Sequence, residues 1–402
     1  MINEIDLSEG WRLMELKDIC LKKAEYGSGA KAIDFEYKKP RYVRITDIDD
    51  NGNLKKNNIV SPDLVEEKYF LEENDLLFAR SGSVGKTYLY KKSDGLCQFA
   101  GYLIRFKPNP EIIDSDYLNY TVKSPHYWNW IESKKKTMTI SNINAKQYSG
   151  LKIPVPPLEN QKKIVEILEK AKKLKEWRAE ADELADDYLE SLYLNFFGNV
   201  TNNPKGWEEK TIEELCSEIV DCPHSTPKYA DYETEFPCIR TTELKKGYIN
   251  WKEMKYLDED EYNERIKRLK PLEGDIVYGR EGSFGEAARV PKDTKISLGQ
   301  RVMLFRPNED ICNSTFLWAL LRSKGIYYQA VQKTSGSTVG HVNIRDIKRF
   351  KAFCPPIELQ NQFADAVKQF EEIKAYQSQS KQEIDNLFNT LMQKAFKGEL
   401  VC

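Results

Sequence analysis

"FARSGSVGKTYLY" (residues 78–90) ends in Gly85-Lys86-Thr87, the tail of a phosphate-binding loop. That loop, G-x-x-x-x-G-K-[ST], needs its first glycine so that backbone N–H groups can turn inward around the phosphates. Counting back from Gly85, the first glycine's position is held by Arg80, which carries a large side chain. A second copy, "YGREGSFGEAARV" (278–290), places Glu286 where the lysine would be, and a carboxylate repels phosphate. The shared part is Arg-x-Gly-Ser-x-Gly. The stretch therefore argues against a nucleotide site and raises a different question, why the chain carries this loop twice.

The rest of the chain is doubled too. "GWRLMELKDIC" (10–20) matches "GWEEKTIEELC" (206–216), and "VRITDI" (43–48) matches "IRTTEL" (239–244). "DLLFARSGSVG" (75–85) matches "DIVYGREGSFG" (275–285), "RFKPN" (105–109) resembles "LFRPN" (304–308), and "VPPLENQ" (155–161) matches "CPPIELQ" (354–360). The matches keep their order with little drift in spacing. This is a tandem duplication with a period far too long for a solenoid.

Each half divides again. The first part alternates short β-branched and aromatic runs ("RYVRIT", "DLLFAR", "GYLIRF"; "FPCIRT", "DIVYGR", "RVMLFR") with Gly, Pro, Asn and Asp. These runs predict strands of a mixed domain. Short helices are expected at 115–123 and 314–322, each opened by a serine cap. The second part has no Gly or Pro from Glu159 to Phe197. There Ile164, Leu168, Ala171, Leu174, Arg178, Ala181, Ala185, Tyr188 and Leu192 recur at steps of three and four. That spacing predicts a long amphipathic helix with a heptad-like stripe, opened by Pro156-Pro157 and ended by Gly198. Residues 358–397 repeat the design with Phe363, Val367, Phe370, Ile373, Ile384, Leu387, Leu391 and Ala395, and Gly398 ends it. Neither stripe can stay in water, so the two helices are expected to pair. The expected architecture is α+β: two homologous mixed domains, related by a pseudo-two-fold axis and separated by two long antiparallel helices forming a coiled coil.

Composition bounds the function. The chain has 402 residues, 40% apolar and 31% charged, with a net charge of −2. No global positive field marks a nucleic-acid binder, so any basic surface is local. The two long segments have an acid excess, which leaves the basic excess on the remainder. No apolar run is long enough to span a bilayer, and the acidic "MINEIDLSEGW" lacks the apolar core of a signal peptide. The eight cysteines are scattered without a C-x-x-C pair. A reduced, cytoplasmic protein is expected.

At this point the chain resembles the specificity subunit of a Type I restriction–modification enzyme. The resemblance rests on Gly10-Trp11 and Gly206-Trp207, on Arg-x-Gly-Ser-x-Gly at 80–85 and 280–285, on Pro-Pro-[LI]-Glu-x-Gln at 156–161 and 355–360, and on the ending "LMQKAFKGEL" (391–400). "LESLYLNFFGN" (189–199) resembles the helix end that precedes the second domain in this family. The resemblance implies two target-recognition domains (1–154 and 199–354), each reading half of a split double-stranded DNA sequence. It implies two spacer helices (155–198 and 355–402) that set the gap and hold two methyltransferase subunits through residues such as Ile164, Leu168, Leu192, Phe363, Val367 and Leu391. S-adenosylmethionine is then expected on the methyltransferase subunits. ATP and Mg are expected on restriction subunits, up to two of which can join. This chain itself would hold no cofactor and no metal and would catalyse nothing. The family's Gly-x-Thr-Pro turn is absent from "CLKKAEYGSGA" (20–30) and only approximated by "CPHSTPKY" (222–229).

Candidate DNA contacts follow from donor chemistry. Arg80 and Arg280 sit past a strand, before glycines that let backbone approach a rail of phosphates, and Ser83 and Ser283 can donate to phosphate. Lys86 follows the first of these loops. "RITD" and "RTTE" offer Arg44, Thr46, Arg240 and Thr242, where Arg can read guanine and the acid can accept from cytosine. The competing reading there is an internal Arg–carboxylate pair. Lys134, Lys135 and Lys136 in "ESKKKTMTISNIN" (132–144) would neutralise phosphates. Ser335, Ser337, Thr338 and His341 in "VQKTSGSTVGHVN" (331–343) add small donors, and Thr226 and Lys228 are a further set. For the lysine and serine loops the competing reading is a solvated turn.

Other classes fit less well. "PDLVEEK" (62–68) crowds Asp63, Glu66 and Lys68 of a nuclease-like set into one short stretch, with no counterpart in the second half. Cys216, Cys222, His224 and Cys238 lack zinc-finger spacing. The Pro-Pro pairs precede helices and lack a methyltransferase's Asn/Asp-Pro-Pro-aromatic context. The remaining competitors are a coiled-coil assembly scaffold whose domains bind protein, and the DNA-recognition part of another defence methylation system.

Overall fold

The structure is a computed structural model, and it describes residues 10–136, 142–199, 203–281, 285–334 and 342–401. By packing, the chain divides into two compact units. One comprises Met1–Trp177 with Ser380–Cys402, and the other comprises Arg178–Gln379. The division cuts both long helices, so each unit holds one globular part, one end of the first long helix and the opposite end of the second.

The two globular parts share one topology. In the first unit, Glu25–Tyr26, Leu103–Phe106, Leu76–Ala79 and Thr87–Leu89 lie side by side in that order, all antiparallel. In the second, Cys216–Asp221, Val302–Pro307, Ile276–Gly279 and Ala287–Arg289 repeat the order and the pairing. The central strands are buried along their whole length, which is why they read as continuous apolar runs. A parallel pair accompanies each sheet, Arg41–Val43 with Cys97–Phe99 and Pro237–Ile239 with Ser297–Leu298. The strand that follows each Gly-Trp closes on the strand that precedes each Pro-Pro: Arg12–Glu15 pairs with Lys152–Val155, and Glu208–Thr211 with Lys351–Cys354. The start and end of each globular part are thereby stitched together.

The short helices run over Ser115–Thr121 and Ser314–Arg322, but serine is not their cap. Asp114 and Asn313 cap them, each side chain accepting backbone N–H bonds from the first turn. The serines become the first helical residues.

The long helices span Leu158–Phe197 and Ile357–Lys397. Forty residues (the first helix) extend about 60 Å. They end at Gly198 and Gly398, both at positive φ (78° and 77°), the left-handed conformation that suits a helix stop. Lys205 Nζ donates to the freed carbonyls of Asn195 and Phe196, a cation at a helix C-terminus. In the first unit, Ile164 and Leu168 share a core with Met392, Ala395 and Phe396, while Lys175 reaches Asp385 at 2.8 Å. In the second, Tyr188 meets Phe370, and Tyr193 and Phe197 meet Phe363. As one chain number rises the other falls, so the helices are antiparallel within each unit. The stripe is not buried throughout: Leu174, Tyr188, Ile373 and Leu387 are 40–53% exposed. Burial is full only where a globular part covers the helix. Among the described residues no helix is long and apolar enough to cross a membrane.

The glutamine that follows each Pro-Pro explains why that motif recurs. Gln161 is fully buried; its Oε1 accepts from Asp114 N (2.7 Å) and its Nε2 donates to Ile112 O (3.0 Å) and Pro156 O (2.8 Å). Gln360 makes the same three bonds, to Asn313 N, Ile311 O and Pro355 O, at 2.8, 2.9 and 2.8 Å. Replacing either glutamine by leucine leaves three backbone groups without partners. We expect each of Gln161→Leu and Gln360→Leu to destabilise its own unit by about 2–5 kcal/mol. Urea unfolding of the full chain, followed by tryptophan fluorescence, reads this; a loss below about 0.5 kcal/mol contradicts it.

Candidate nucleic-acid interface

The Arg-x-Gly-Ser-x-Gly turn sits at the end of each central strand. Gly82 and Gly85 take positive φ (66° and 95°), and a Cβ at Gly85 would lie 2.8 Å from the Trp128 ring. Tyr127 donates its hydroxyl to Gly85 O at 3.0 Å, so the turn is seated on the helix Pro125–Lys135. Ser83 is exposed at its tip. Ser283 lies outside the described residues.

The two arginines of this turn have equivalent backbones. Arg80 N donates to Tyr102 O and Arg280 N to Arg301 O, both at 3.0 Å; Ile143 N returns to Arg80 O and Val342 N to Arg280 O. Their side chains differ. Arg80 lies over the Tyr26 ring (4.9 Å to the centroid), and its buried Nε has no hydrogen-bond partner among the described residues. Arg280 is 7% exposed and ion-paired, with Nε donating to Asp221 Oδ1 at 3.0 Å and Nη1 lying 3.1 Å from Glu281 Oε1.

Lys86 turns away from the glycines. Its Nζ is 2.7 Å from Asp50 Oδ1 and 3.4 Å from Ile48 O, so it ties the turn to a neighbouring loop. Glu286, at the same position of the second half, does the equivalent by accepting from Gly247 N at 3.3 Å.

Arg44 and Arg240 hold internal carboxylates. Arg44 donates from N, Nε and Nη2 to Asp47 at 2.8, 2.9 and 2.8 Å, and Asp47 is buried. Arg240 grips buried Glu243 the same way, and Thr242 Oγ1 adds a bond at 2.8 Å. The bonded carboxylate holds each guanidinium even more firmly protonated than usual. Each pair caps a short 3₁₀ turn, Ile45–Asp47 and Thr241–Glu243. The geometry is that of the internal Arg–carboxylate pair, with both carboxylate oxygens already accepting. Thr46 and Thr242 are exposed beside it.

Lys134 and Lys135 belong to the last turn of the helix Pro125–Lys135, not to a loop, and Lys136 follows as its exposed cap. Lys134 lies over Trp130 and Lys135 pairs with Glu132 at 2.7 Å. Three cations at one helix C-terminus stabilise that end and make it the basic edge of the first unit. Thr226 accepts from Gln300 Nε2 at 3.2 Å, and Lys228 is exposed. Ser335, Ser337, Thr338 and His341 lie outside the described residues.

The six helix residues assigned to partner binding are placed inward. Ile164, Leu168, Leu192, Phe363 and Val367 are buried in the cores of their own units, and Leu391 packs against one. Their packing holds each helix end to the globular part of the unit it lies in. The large apolar residues left outward on the helices are Leu174, Trp177 and Leu387 in the first unit, and Leu184, Tyr188, Leu194, Ile373 and Tyr376 in the second.

The competing chemistries have their groups committed elsewhere. Asp63 Oδ1 accepts from Lys31 N, Glu66 Oε2 accepts from Ser28, and Lys68 pairs with Glu66. Among the described residues no group of His, Cys, Asp and Glu could hold a metal ion. Burial pushes the Cys20, Cys97 and Cys216 thiols up to about 12, far from a reactive thiolate.

Comparison with known proteins agrees with this doubled plan. The model of the Type I restriction modification DNA specificity domain matches twice, over residues 8–181 and 204–386. The chain belongs to that family. The MjaVIII Type I restriction enzyme specificity subunit of Methanocaldococcus jannaschii is 23% identical over 84% of this chain and 81% of its own length. The EcoKI specificity subunit of Escherichia coli is 23% identical over 87% of this chain and 80% of its own. Among solved structures, a chain from a study of assembly and conformational transition of the type I R-M system superposes with a TM-score of 0.64 at 18% identity, over 98% of this chain and 100% of that one. The Type-I restriction-modification S subunit of M. genitalium gives 0.52 at 15% identity, over 98% of each chain. At these identities the structures speak for the fold.

The Arg–carboxylate caps generate a prediction. Asp47→Ala strands a half-buried guanidinium and is expected to cost about 1–3 kcal/mol of stability. Exposed Thr46→Ala is expected to change it by less than about 0.5 kcal/mol. Thermal and urea unfolding check both; equal effects mean that the pair does not brace the fold.

Proposed function

We propose that the chain is the non-catalytic DNA-reading subunit of a Type I restriction–modification enzyme, with one half of a split target read by each globular part. The observation that carries this is the doubling itself: one family match and one copy of the same sheet, turn and helix start in each half. A reader with two equivalent modules suits a target with two half-sites. The long helices, each shared between the units, are the natural ruler for the gap. The exposed apolar residues Leu174, Trp177, Leu184, Tyr188, Ile373 and Tyr376 are the surface we assign to two methyltransferase subunits, in place of the inward-facing stripe. S-adenosylmethionine would be bound by those subunits, and ATP and Mg by restriction subunits that join them. In the first half, phosphate contacts fall to Ser83 and the basic helix end at Lys134–Lys136, and in the second half to Lys228.

Footprinting tests the reading. The chain reconstituted with its methyltransferase subunits is expected to protect duplex DNA in two patches roughly one helical turn apart. Sequence-blind, uniform protection instead favours an assembly scaffold. Inserting four residues into both long helices adds about 6 Å. The unread gap is then expected to lengthen while both half-sequences stay the same. Altered half-sequences would rule out the ruler.

A further inference from the structure

The two halves superimpose four positions around the arginine of the Arg-x-Gly-Ser-x-Gly turn, and those positions carry different chemistry. Tyr26 pairs in register with Ile104 as Asp221 does with Met303, so Tyr26 and Asp221 occupy the same place at the outer strand's end. Tyr102 and Arg301 accept the arginine's backbone N–H in the two halves. The first half thus sets Tyr26, Arg80, Ser81 and Tyr102 where the second sets Asp221, Arg280, Glu281 and Arg301.

The electrostatics diverge accordingly. In the second half two carboxylates face two guanidiniums. Asp221 and Glu281 engage Arg280, and Glu281 Oε2 also meets Arg301 Nε at 3.2 Å. Arg280 is enclosed, but the Arg301 side chain, whose Nε meets Glu281, is 60% exposed. In the first half no acid among the described residues is paired with Arg80. Its plane is held by the Tyr26 ring, and Tyr26 is itself fixed by accepting from Ala145 N at 3.1 Å. Stacking holds a guanidinium through its face and leaves its in-plane donors for another acceptor. The Nε is buried and without a bond among the described residues, so an incoming acceptor would meet the terminal nitrogens of this partly exposed side chain. Tyr26, which stacks on it, is 41% exposed, and Tyr102, whose carbonyl accepts its backbone N–H, is 66% exposed.

We propose that the two halves present different arginines to DNA: Arg80 in the first, released by Tyr26, and Arg301 in the second, where Asp221 and Glu281 convert Arg280 into a positioning residue. The residue at the Tyr26/Asp221 position is then the switch that decides whether the turn arginine reads or braces. This rests on the DNA-recognition reading above, and its test separates the two.

The full chain, reconstituted with its methyltransferase subunits, selects duplexes from a random-sequence pool, and the selected duplex becomes the probe. Arg80→Ala is expected to weaken binding about tenfold or more and to relax base preference in one half of the selected sequence only. Arg301→Ala is expected to do so in the other half. Tyr26→Asp, which supplies Arg80 with the acid that Arg280 has, is expected to reproduce the Arg80→Ala loss with an unchanged melting temperature. Adding Arg80→Ala to Tyr26→Asp then costs nothing further. The proposal is overturned if Arg80→Ala or Arg301→Ala keeps wild-type affinity and selection, or if Arg280→Gln relaxes a half-site at unchanged melting temperature. If the wild-type complex selects no sequence at all, the recognition reading falls and this inference with it.

Discussion

A single buried amide at the start of each long helix holds the architecture together. Gln161 and Gln360 lie just inside their helices, yet all three hydrogen bonds of each go backward, to the end of the preceding strand and to the loop ahead of the short capped helix. A fully buried amide has no water to fall back on, so its geometry is fixed by those partners. The direction in which a helix of some 60 Å leaves its domain is therefore set at its first turn. Any function in which the helices act as a measure depends on that angle. The two prolines ahead of it contribute stiffness, and Pro157 also lies against Gly10, which needs its positive φ of 82° there.

A second constraint operates throughout each globular part. Arginine occurs there repeatedly, but most of its donors are used internally. Arg44 and Arg240 are bound to Asp47 and Glu243. Arg105 and Arg306 are bound to Asp75 and Asp275, which also accept the backbone N–H of Glu72 and Leu272. Burial pushes the Asp75 carboxyl above the ordinary carboxylate range, so the facing arginine supplies needed compensation. A basic residue in this chain is therefore not by itself a nucleic-acid contact. On our proposal, what separates a brace from a reader is whether an acid lies within reach of the guanidinium.

Much of the fold was legible in the residues. The doubling, the central strands, and both long helices with their stops came from order, period and glycine placement, because those depend on local chemistry that a linear reading can follow. The capping serines were misassigned because Asp114 and Asn313, one residue earlier, are equally good caps and their side chains accept the first-turn amide bonds. The residues assigned to partner binding lie in cores for a longer-range reason. Periodicity says that Ile164, Leu168 and Phe363 must be buried, but not by what, and the cover is each unit's own globular part. The candidate contacts suffered likewise. Arg80 and Arg280 are equivalent in the linear motif, and only the strand pairing brings Tyr26 to one and Asp221 to the other. Those partners lie 54 and 59 residues away in the chain (Tyr26 to Arg80, Asp221 to Arg280), beyond the reach of any local pattern.

The two halves serve as each other's control. Where both must solve the same backbone problem they keep the same residue. Gln161 and Gln360 are one case. Asn109 and Asn308, whose N–H groups bond Ile19 O and Leu215 O, are another, and Gly85 and Gly285, at φ 95° and 91°, a third. Among the many positions at which the halves differ, several surround one turn. Tyr26 against Asp221, Ser81 against Glu281, Lys86 against Glu286 and Tyr102 against Arg301 all lie on or beside one turn. On the reading proposed above, that turn is where two readers built on one shared topology are set to different inputs. The constancy of the framework keeps those inputs in a fixed relation to their helices.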